Sequence, residues 1–422
     1  MLDIKYIVEN REKVENALKT RMETEDLDLD GLLESYRRYK ELLAGFEENR
    51  AQQKKKNDEM AQMEKGSVEF NKAVEGMKEL AQEVGKADAA VSEARKEYEE
   101  KLSALPNLPD ADAPVGGKEK NEVIKEWGDE PAFDFEPADH VTLGERLNIL
   151  DFGRASKMTG TQFAMYVGDG ALLEWALIHF FISEHAKDGY TCILPPHLLS
   201  EESAYTAGQL PKFKDDVYWT HDGQCLLPTA ETALVNLHRD EVLDENELPK
   251  KYFAFTPCYR REAGSYGKTD RGLMRMHQFN KVEMFQYTTA EGSDAALEEL
   301  IGKAEHLAQA LGLRYRLTKL ATQDISFAVA KTIDIEVWLP WQKGWTEIGS
   351  LSNARDFQAR RGNMRYRGKD GTLKFLHTLN ASGLATSRLM VALLETYQTE
   401  DGLVRVPDVL QPFIGKEIIG KN

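Results

Sequence analysis

The chain has 422 residues, 41% apolar and 30% charged, long enough for two or three domains with a buried core. Its formal charge is −17, from 54 Lys and Arg against 71 Asp and Glu, so any polyanion it binds must meet a local concentration of cations. No run approaches 18 apolar residues, which excludes a transmembrane helix, and the charged N-terminus lacks the apolar stretch of a signal peptide.

Residues 1–30 read as a short helix and a turn. Two long proline-free runs follow, from Gly31 to about Glu64 and from about Ser67 to Leu102. In the second, Ala73, Met77, Leu80, Val84, Ala87, Val91, Ala94 and Tyr98 recur at steps of four and three, a heptad seam. In the first, Leu32, Tyr36, Tyr39, Leu43 and Phe46 keep the same step, and the register runs on through Arg50, Gln53 and Asn57 to Met60. Gly66–Ser67 is a natural turn, so the pattern predicts an antiparallel helical hairpin about 50 Å long. Near its tip Arg50, Lys54, Lys55 and Lys56 form a basic patch. These residues suit either a solvated helix face or a phosphate contact. Three prolines and two glycines in SALPNLPDADAPVGGKE mark a linker, which sets expected domains at 1–105, 106–120 and 121–422.

Beyond the linker the three cysteines, Cys192, Cys225 and Cys258, form no CxxC pair. Neither a disulfide framework nor a cysteine zinc site is expected, and the reducing cytoplasm is the expected compartment. HExxH and EF-hand patterns are absent. Gly267-Lys268-Thr269 imitates the end of a phosphate-binding P-loop, but Glu262 stands where that loop needs glycine.

The densest polar constellation spans 252–287. YFAFTPCYR reads as a strand, RREAGSYGKTDRG as a loop and LMRMHQFNKVEMFQY as a second strand. Alternation would place Arg260 with Glu262 on one face, and Phe279 with Glu283 on one face of the partner strand. Such a surface suits an antiparallel sheet's solvent side, yet Arg261, Lys268, Arg271 and Arg275 add cations that want a polyanion such as a nucleoside triphosphate.

FTPCYRREAGSYGKTDRGLMRMHQFNKVEMF resembles motif 2 of class II aminoacyl-tRNA synthetases in the seryl, bacterial-type form. GDGALLEWALIHFF…HAKDGYTCILPPHLL, with Pro195 and Pro196, resembles motif 1, and HTLNASGLATSRLMVALLE, carrying Arg388, resembles motif 3. LPTAE at 227–231, EIGS at 347–350 and SNARDFQARR at 352–361 also match the seryl type, and the resemblance covers the whole chain. It implies an α+β fold: an antiparallel sheet flanked by helices behind an N-terminal coiled-coil arm. It implies a dimeric, cytoplasmic ligase that makes seryl adenylate from L-serine and Mg-ATP, then charges serine tRNA and, where present, selenocysteine tRNA.

Residue by residue, the resemblance implies that Thr229, Ala230 and Glu231 hold the serine ammonium, while Glu283, Asn380 and Ser382 close around its hydroxyl. Arg260 grips the carboxylate and α-phosphate, with Arg261 beside it. Glu262 lies near the adenine amino group, Phe279 stacks on the ring, and Met276 lines the nucleotide pocket. Glu347, Ile348, Gly349 and Ser350 face ATP, Glu347 and Ser350 through Mg2+. Arg388 covers the other adenine face or the terminal phosphate. The arm, through its basic tip, reaches the long variable arm of the tRNA. The chain departs from the family pattern at Gly349 (commonly serine), Ala381 (commonly glycine) and Ser387 (commonly glycine); all are small swaps that remove no named ligand.

This chemistry needs no activated protein nucleophile. Two anionic reactants, a carboxylate and an α-phosphoryl group, must be brought together, so cations and in-line positioning are what the protein supplies. Two other readings conflict with the residues present. A ligase that loads a carrier protein lacks the long arm, and a catalytically dead RNA-binding relative loses motif ligands.

Overall fold

The computed structural model describes residues 1–263 and 271–420. Leu2–Pro106 form one compact unit, and Asn107–Asn422, with Met1, form the other. Among the described residues no helix is long and apolar enough to cross a membrane.

The smaller unit is built on two helices, α1 (Leu29–Met60) and α2 (Val68–Ser103), about 48 and 54 Å long at 1.5 Å per residue. Each starts at a side-chain cap. The Asp28 carboxylate accepts the Gly31 N–H at 2.8 Å, and the Ser67 hydroxyl oxygen accepts the Phe70 N–H at 3.0 Å. The helices run antiparallel: Gly31 meets Lys101, Tyr36 meets Tyr98 and Arg38 meets Glu97. Leu32, Leu80, Val91 and Ala94 of the heptad seam are buried, and Tyr36, Tyr39 and Tyr98 cluster with ring centroids 4.9–6.3 Å apart. Toward the turn the seam turns polar, and Arg50, Lys54, Lys55 and Lys56 are all exposed.

The larger unit centres on one eight-stranded sheet: β1 (Glu122–Trp127), β2 (Thr191–Cys192), β3 (Lys250–Tyr259), β4 (Gln278–Thr288), β5 (Tyr315–Lys319), β6 (Lys331–Leu339), β7 (Gly344–Arg355) and β8 (His377–Ala385). Their spatial order is β1-β5-β6-β7-β8-β4-β3-β2. Every neighbouring pair is antiparallel except β2 with β3 at the edge. Alternation gives the sheet two chemically different faces. Val282, Met284, Leu351, Leu379 and Ala381 join the main apolar core with helices α3 (Asp169–Lys187), α4 (Ser293–Ala310) and α5 (Thr386–Thr396). The intervening residues Phe279, Lys281, Ser350, Ser352, Asn380 and Ser382 line a cavity on the other side. Farther along β4, Phe285 and Tyr287 enter a second core with Ala230, Leu234 and Tyr366, which closes that face beyond the cavity.

Three local features differ from the sequence reading. The segment from Leu273 does not enter its strand directly: Gly272–Met274 is a 3-10 turn, and β4 begins at Gln278. Glu262 lies beyond the end of β3 with φ +52°, so its position comes from a left-handed residue rather than from strand alternation with Arg260. Residues 107–120, expected as a linker, belong to the larger unit. The Asn107 amide donates to the carbonyls of Ala328 (3.0 Å) and Ala354 (2.8 Å), and Asp110 pairs with Arg355 at 2.5 Å.

Candidate active site

The cavity encloses ≈ 440 Å³. At one end lie Thr229 and Glu231, where the chain leaves Pro228 and turns into the short helix Glu231–Leu234. Lys281 reaches across from β4: its ammonium donates to Thr229 Oγ1 at 2.8 Å and sits 2.5 Å from a carboxylate oxygen of Glu283. Glu283 is fully buried and accepts a further hydrogen bond from the Asn380 amide at 3.1 Å. Its carboxylate therefore lies behind Lys281 and Asn380, both of which line the cavity. Glu231 accepts from Gln358 Nε2 at 2.7 Å, and Gln358 is itself held by Thr378 Oγ1 at 2.6 Å. Burial, followed by the nearby charge of Glu283, raises the Glu231 pKa to about 7.

The middle and far end are cationic and aromatic. The Arg260 guanidinium stands 5.2 Å from the centre of the Phe279 ring and donates from Nε to the Pro228 carbonyl at 3.2 Å. Glu262 and Arg275 pair at 2.7 Å along the rim. Arg388 comes from the first turn of α5; its Nη1 donates to the Glu347 carbonyl at 2.8 Å and lies 3.3 Å from the Glu347 carboxylate. Ser350 Oγ donates to the same carboxylate at 3.5 Å, across a bulge that β7 makes between Glu347 and Gly349. A Cβ on Gly349 would come within 2.8 Å of the Ser382 Cβ, so the glycine here fits a close approach between β7 and β8. Asp334 lies opposite Ser350 on β6, and burial together with the charge of Glu347 pushes its pKa well above the usual carboxylate range.

Beneath the cavity, Glu174 of α3 ties three elements together. It accepts from Asn280 Nδ2 on β4 at 2.9 Å and from Thr386 Oγ1 at the head of α5 at 2.5 Å. Burial raises its pKa to about 7.

Of the residues singled out in the sequence, Thr229, Glu231, Arg260, Glu262, Met276, Phe279, Glu347, Ile348, Gly349, Ser350, Asn380, Ser382 and Arg388 share this one cavity. Ala230 does not: it is fully buried in the second core. Arg261 also points elsewhere, exposed and 5.9 Å from the Tyr218 ring. Arg271 pairs with Asp139 at 2.6 Å, and Lys268 lies outside the described residues. The sequence reading passed over Lys281 and Ser352, although alternation with Phe279 and Ser350 pointed to both. It also passed over Gln358, whose signal is purely tertiary.

The antiparallel order of the sheet is that of a class II synthetase core. The family described as "tRNA synthetase class II core domain (G, H, P, S and T)" matches residues 213–397, and "Seryl-tRNA synthetase N-terminal domain" matches residues 1–109. Serine–tRNA ligase 2 of Clostridium acetobutylicum is 48% identical over 428 residues, covering 99% of this chain and 100% of that protein. Serine–tRNA ligase of Petrotoga mobilis is 47% identical over 426 residues, covering both chains in full. The crystal structure of seryl-tRNA synthetase from Pyrococcus horikoshii complexed with ATP superposes with a TM-score of 0.90 at 34% identity, covering 99% of each chain. The chain belongs to the seryl-tRNA synthetase family, the serine–tRNA ligases of class II.

Proposed function

We propose that the cavity binds L-serine at the Thr229–Glu231 end and ATP at the Phe279–Arg388 end, joins them as seryl adenylate, and passes the seryl group to tRNA. The observation that carries this reading is Arg260, which stands over Phe279 and donates to the carbonyl of Pro228, next to Thr229, in a cavity that Glu231 and Arg388 also line. A guanidinium there touches both reacting anions, the serine carboxylate and the α-phosphate, and offsets their repulsion while holding them in line. The carboxylate oxygen bonds to the α-phosphorus as the bond to pyrophosphate breaks. The 3′-hydroxyl of the tRNA then attacks the seryl carbonyl and AMP leaves.

The serine end suits a small hydroxy amino acid. An ionised Glu231 attracts the ammonium, Thr229 Oγ1 is oriented by Lys281, and the Glu283–Asn380–Ser382 group supplies fixed polar atoms for the hydroxyl. Phe279 offers a face for the adenine ring, and Glu262, Met276 and Arg388 line the same cavity. Glu347 and Ser350 offer hard oxygen donors. Such donors fit a magnesium ion shared with substrate phosphates. Bound there, Mg2+ neutralises phosphate charge.

Two surfaces support the proposed partners. Leu172 and Trp175 of α3 and Phe413 are 48%, 52% and 43% exposed, an apolar area that a second copy of the chain covers in a homodimer. Arg50, Lys54, Lys55 and Lys56 give the arm a local patch for the tRNA backbone, serine tRNA and, where present, selenocysteine tRNA. With its three cysteines free, the enzyme suits the reducing cytoplasm. The test is charging of serine tRNA with labelled serine. Serine- and ATP-dependent acid-stable label on the RNA is the expected result, and none with a folded protein contradicts the reading.

A further inference from the structure

His140 is 3% exposed, and its ring lies outside the residues that line the cavity. The backbone N–H of Leu273 donates to Nε2 at 3.2 Å, while Nδ1 lies 3.3 Å from the fully buried carboxylate of Glu395. A backbone N–H can only donate, so Nε2 carries the lone pair. Nδ1 therefore carries the proton and donates a hydrogen bond to Glu395. Glu395 is fixed in turn by the backbone N–H groups of His140 and Trp341, each at 3.3 Å. The outer nitrogen of this carboxylate–imidazole pair serves one backbone amide, that of the turn Gly272–Met274.

This turn is the return limb of the motif 2 hairpin. Met274, Arg275 and Met276 line the cavity, and the Met274 carbonyl accepts from Arg388 Nε at 3.3 Å. The approach of the limb to the imidazole requires glycine: Gly272 has φ +68°, and a Cβ there would fall 2.2 Å from His140 Nε2. The neighbouring residue makes a second contact, Asp139 Oδ2 to Arg271 at 2.6 Å, while Asp139 Oδ1 accepts the Thr142 N–H at 2.6 Å. Glu395 lies near the end of α5, the helix whose first turn carries Arg388.

We propose that Asp139, His140 and Glu395 are positioning residues that latch the limb 271–276 against the cavity and to α5, and so set the affinity for ATP without touching either substrate. The inference rests on the cavity being the ATP site. With the latch in place, Met274 and Met276 hold one wall and the Met274 carbonyl aims Arg388. Without it the Leu273 amide loses its acceptor in a buried place, and the limb shifts to find another.

ATP–pyrophosphate exchange at saturating serine, titrated with ATP, tests this with H140N, H140Q and D139N. The glutamine side chain reaches the place of Nε2 and its oxygen accepts the Leu273 N–H; the asparagine side chain is one bond too short. H140N raises KM for ATP about tenfold, the scale of one lost buried hydrogen bond, with kcat and the KM for serine within about threefold of wild type. H140Q stays within about threefold throughout, and D139N, which keeps the Thr142 contact and drops the charge facing Arg271, raises KM for ATP about two- to threefold. Amide hydrogen exchange over 271–276 gives a readout without activity: faster in H140N, unchanged in H140Q. Wild-type KM for ATP and wild-type exchange over 271–276 in H140N overturn the latch. Equal loss in H140N and H140Q, with both KM values moving together, overturns it as well. If H140N does not fold, an unchanged ATP KM in D139N overturns it. A wild-type protein without serine-dependent exchange defeats the proposed function instead, and the latch is then judged on amide exchange alone.

Discussion

The arm and the cavity place their polar residues by opposite rules. On α1 and α2 the heptad seam is the structure: Leu32, Leu80, Val91 and Ala94 go inside, while the charged residues near the turn, Lys54, Lys55 and Lys56 among them, face water. In the larger unit the polar residues are the enclosed ones, with Lys281, Glu283, Ser352 and Ser382 buried against a sheet whose reverse face is apolar. Exposed charges cost little to keep and contribute little singly, so the arm tolerates change. Enclosed charges must be paired, and each is held by two or more neighbours, so the cavity tolerates very little change.

That contrast sets the order of expected effects. Arg260→Ala removes the guanidinium that stands over Phe279 in the cavity, and the serine-dependent exchange rate falls by about 10²–10³, the scale of a lost transition-state donor. Near-UV circular dichroism checks that the fold is kept. Lys281→Met leaves the carboxylate of Glu283 buried without its counter-ion and lowers stability by about 3–5 kcal/mol in urea unfolding. An equally sized loss on changing Lys55 would erase the distinction between the two regions.

Next comes pH. Glu231 has its pKa raised to about 7, above that of an exposed carboxyl, so the folded protein holds a proton that the unfolded chain has released. Stability therefore falls as pH rises from about 4.5 to 7, a trend to which Glu174 adds because burial raises its pKa to about 7 as well. Serine affinity has the opposite sign: the ammonium needs ionised Glu231, so KM for serine rises about tenfold per unit below pH 7 and flattens above it. Glu231→Gln removes that slope, whereas Glu174→Gln leaves it and changes only the stability profile. The smallest effect belongs to the arm. Changing Lys54, Lys55 and Lys56 together to Ala weakens tRNA charging several-fold and lowers the slope of log K against log salt by about 2–3, with pyrophosphate exchange unchanged.

The same contrast explains what could be read from the chain. The arm's two helices were legible because a heptad seam is a local signal; the caps Asp28 and Ser67, each bonded three residues on, were equally local but were not singled out. On the sheet, alternation carried Phe279 and Glu283 to one face, and the same rule extends to Lys281 and Ser352. It does not extend to Glu262, because a single residue at φ +52° ends the alternation and no pattern announces it. Ala230 and Arg261 adjoin cavity residues in sequence but not in space: a turn at Ala230 and the end of β3 at Tyr259 send them away from the cavity. Residues 107–120 read as a linker from their prolines and glycines. The Asn107 amide and Asp110 bind them to partners more than 200 residues away, which no local window contains.

The most direct measurement is ATP–pyrophosphate exchange with serine, and with alanine, threonine and cysteine as comparators. Exchange with serine, lower by about 10⁴-fold with alanine because the buried polar atoms lose their hydroxyl partner, is the predicted result. Equal exchange with serine and alanine would contradict the assignment of the serine end, and no exchange with any amino acid, in folded protein with magnesium, would contradict the account as a whole.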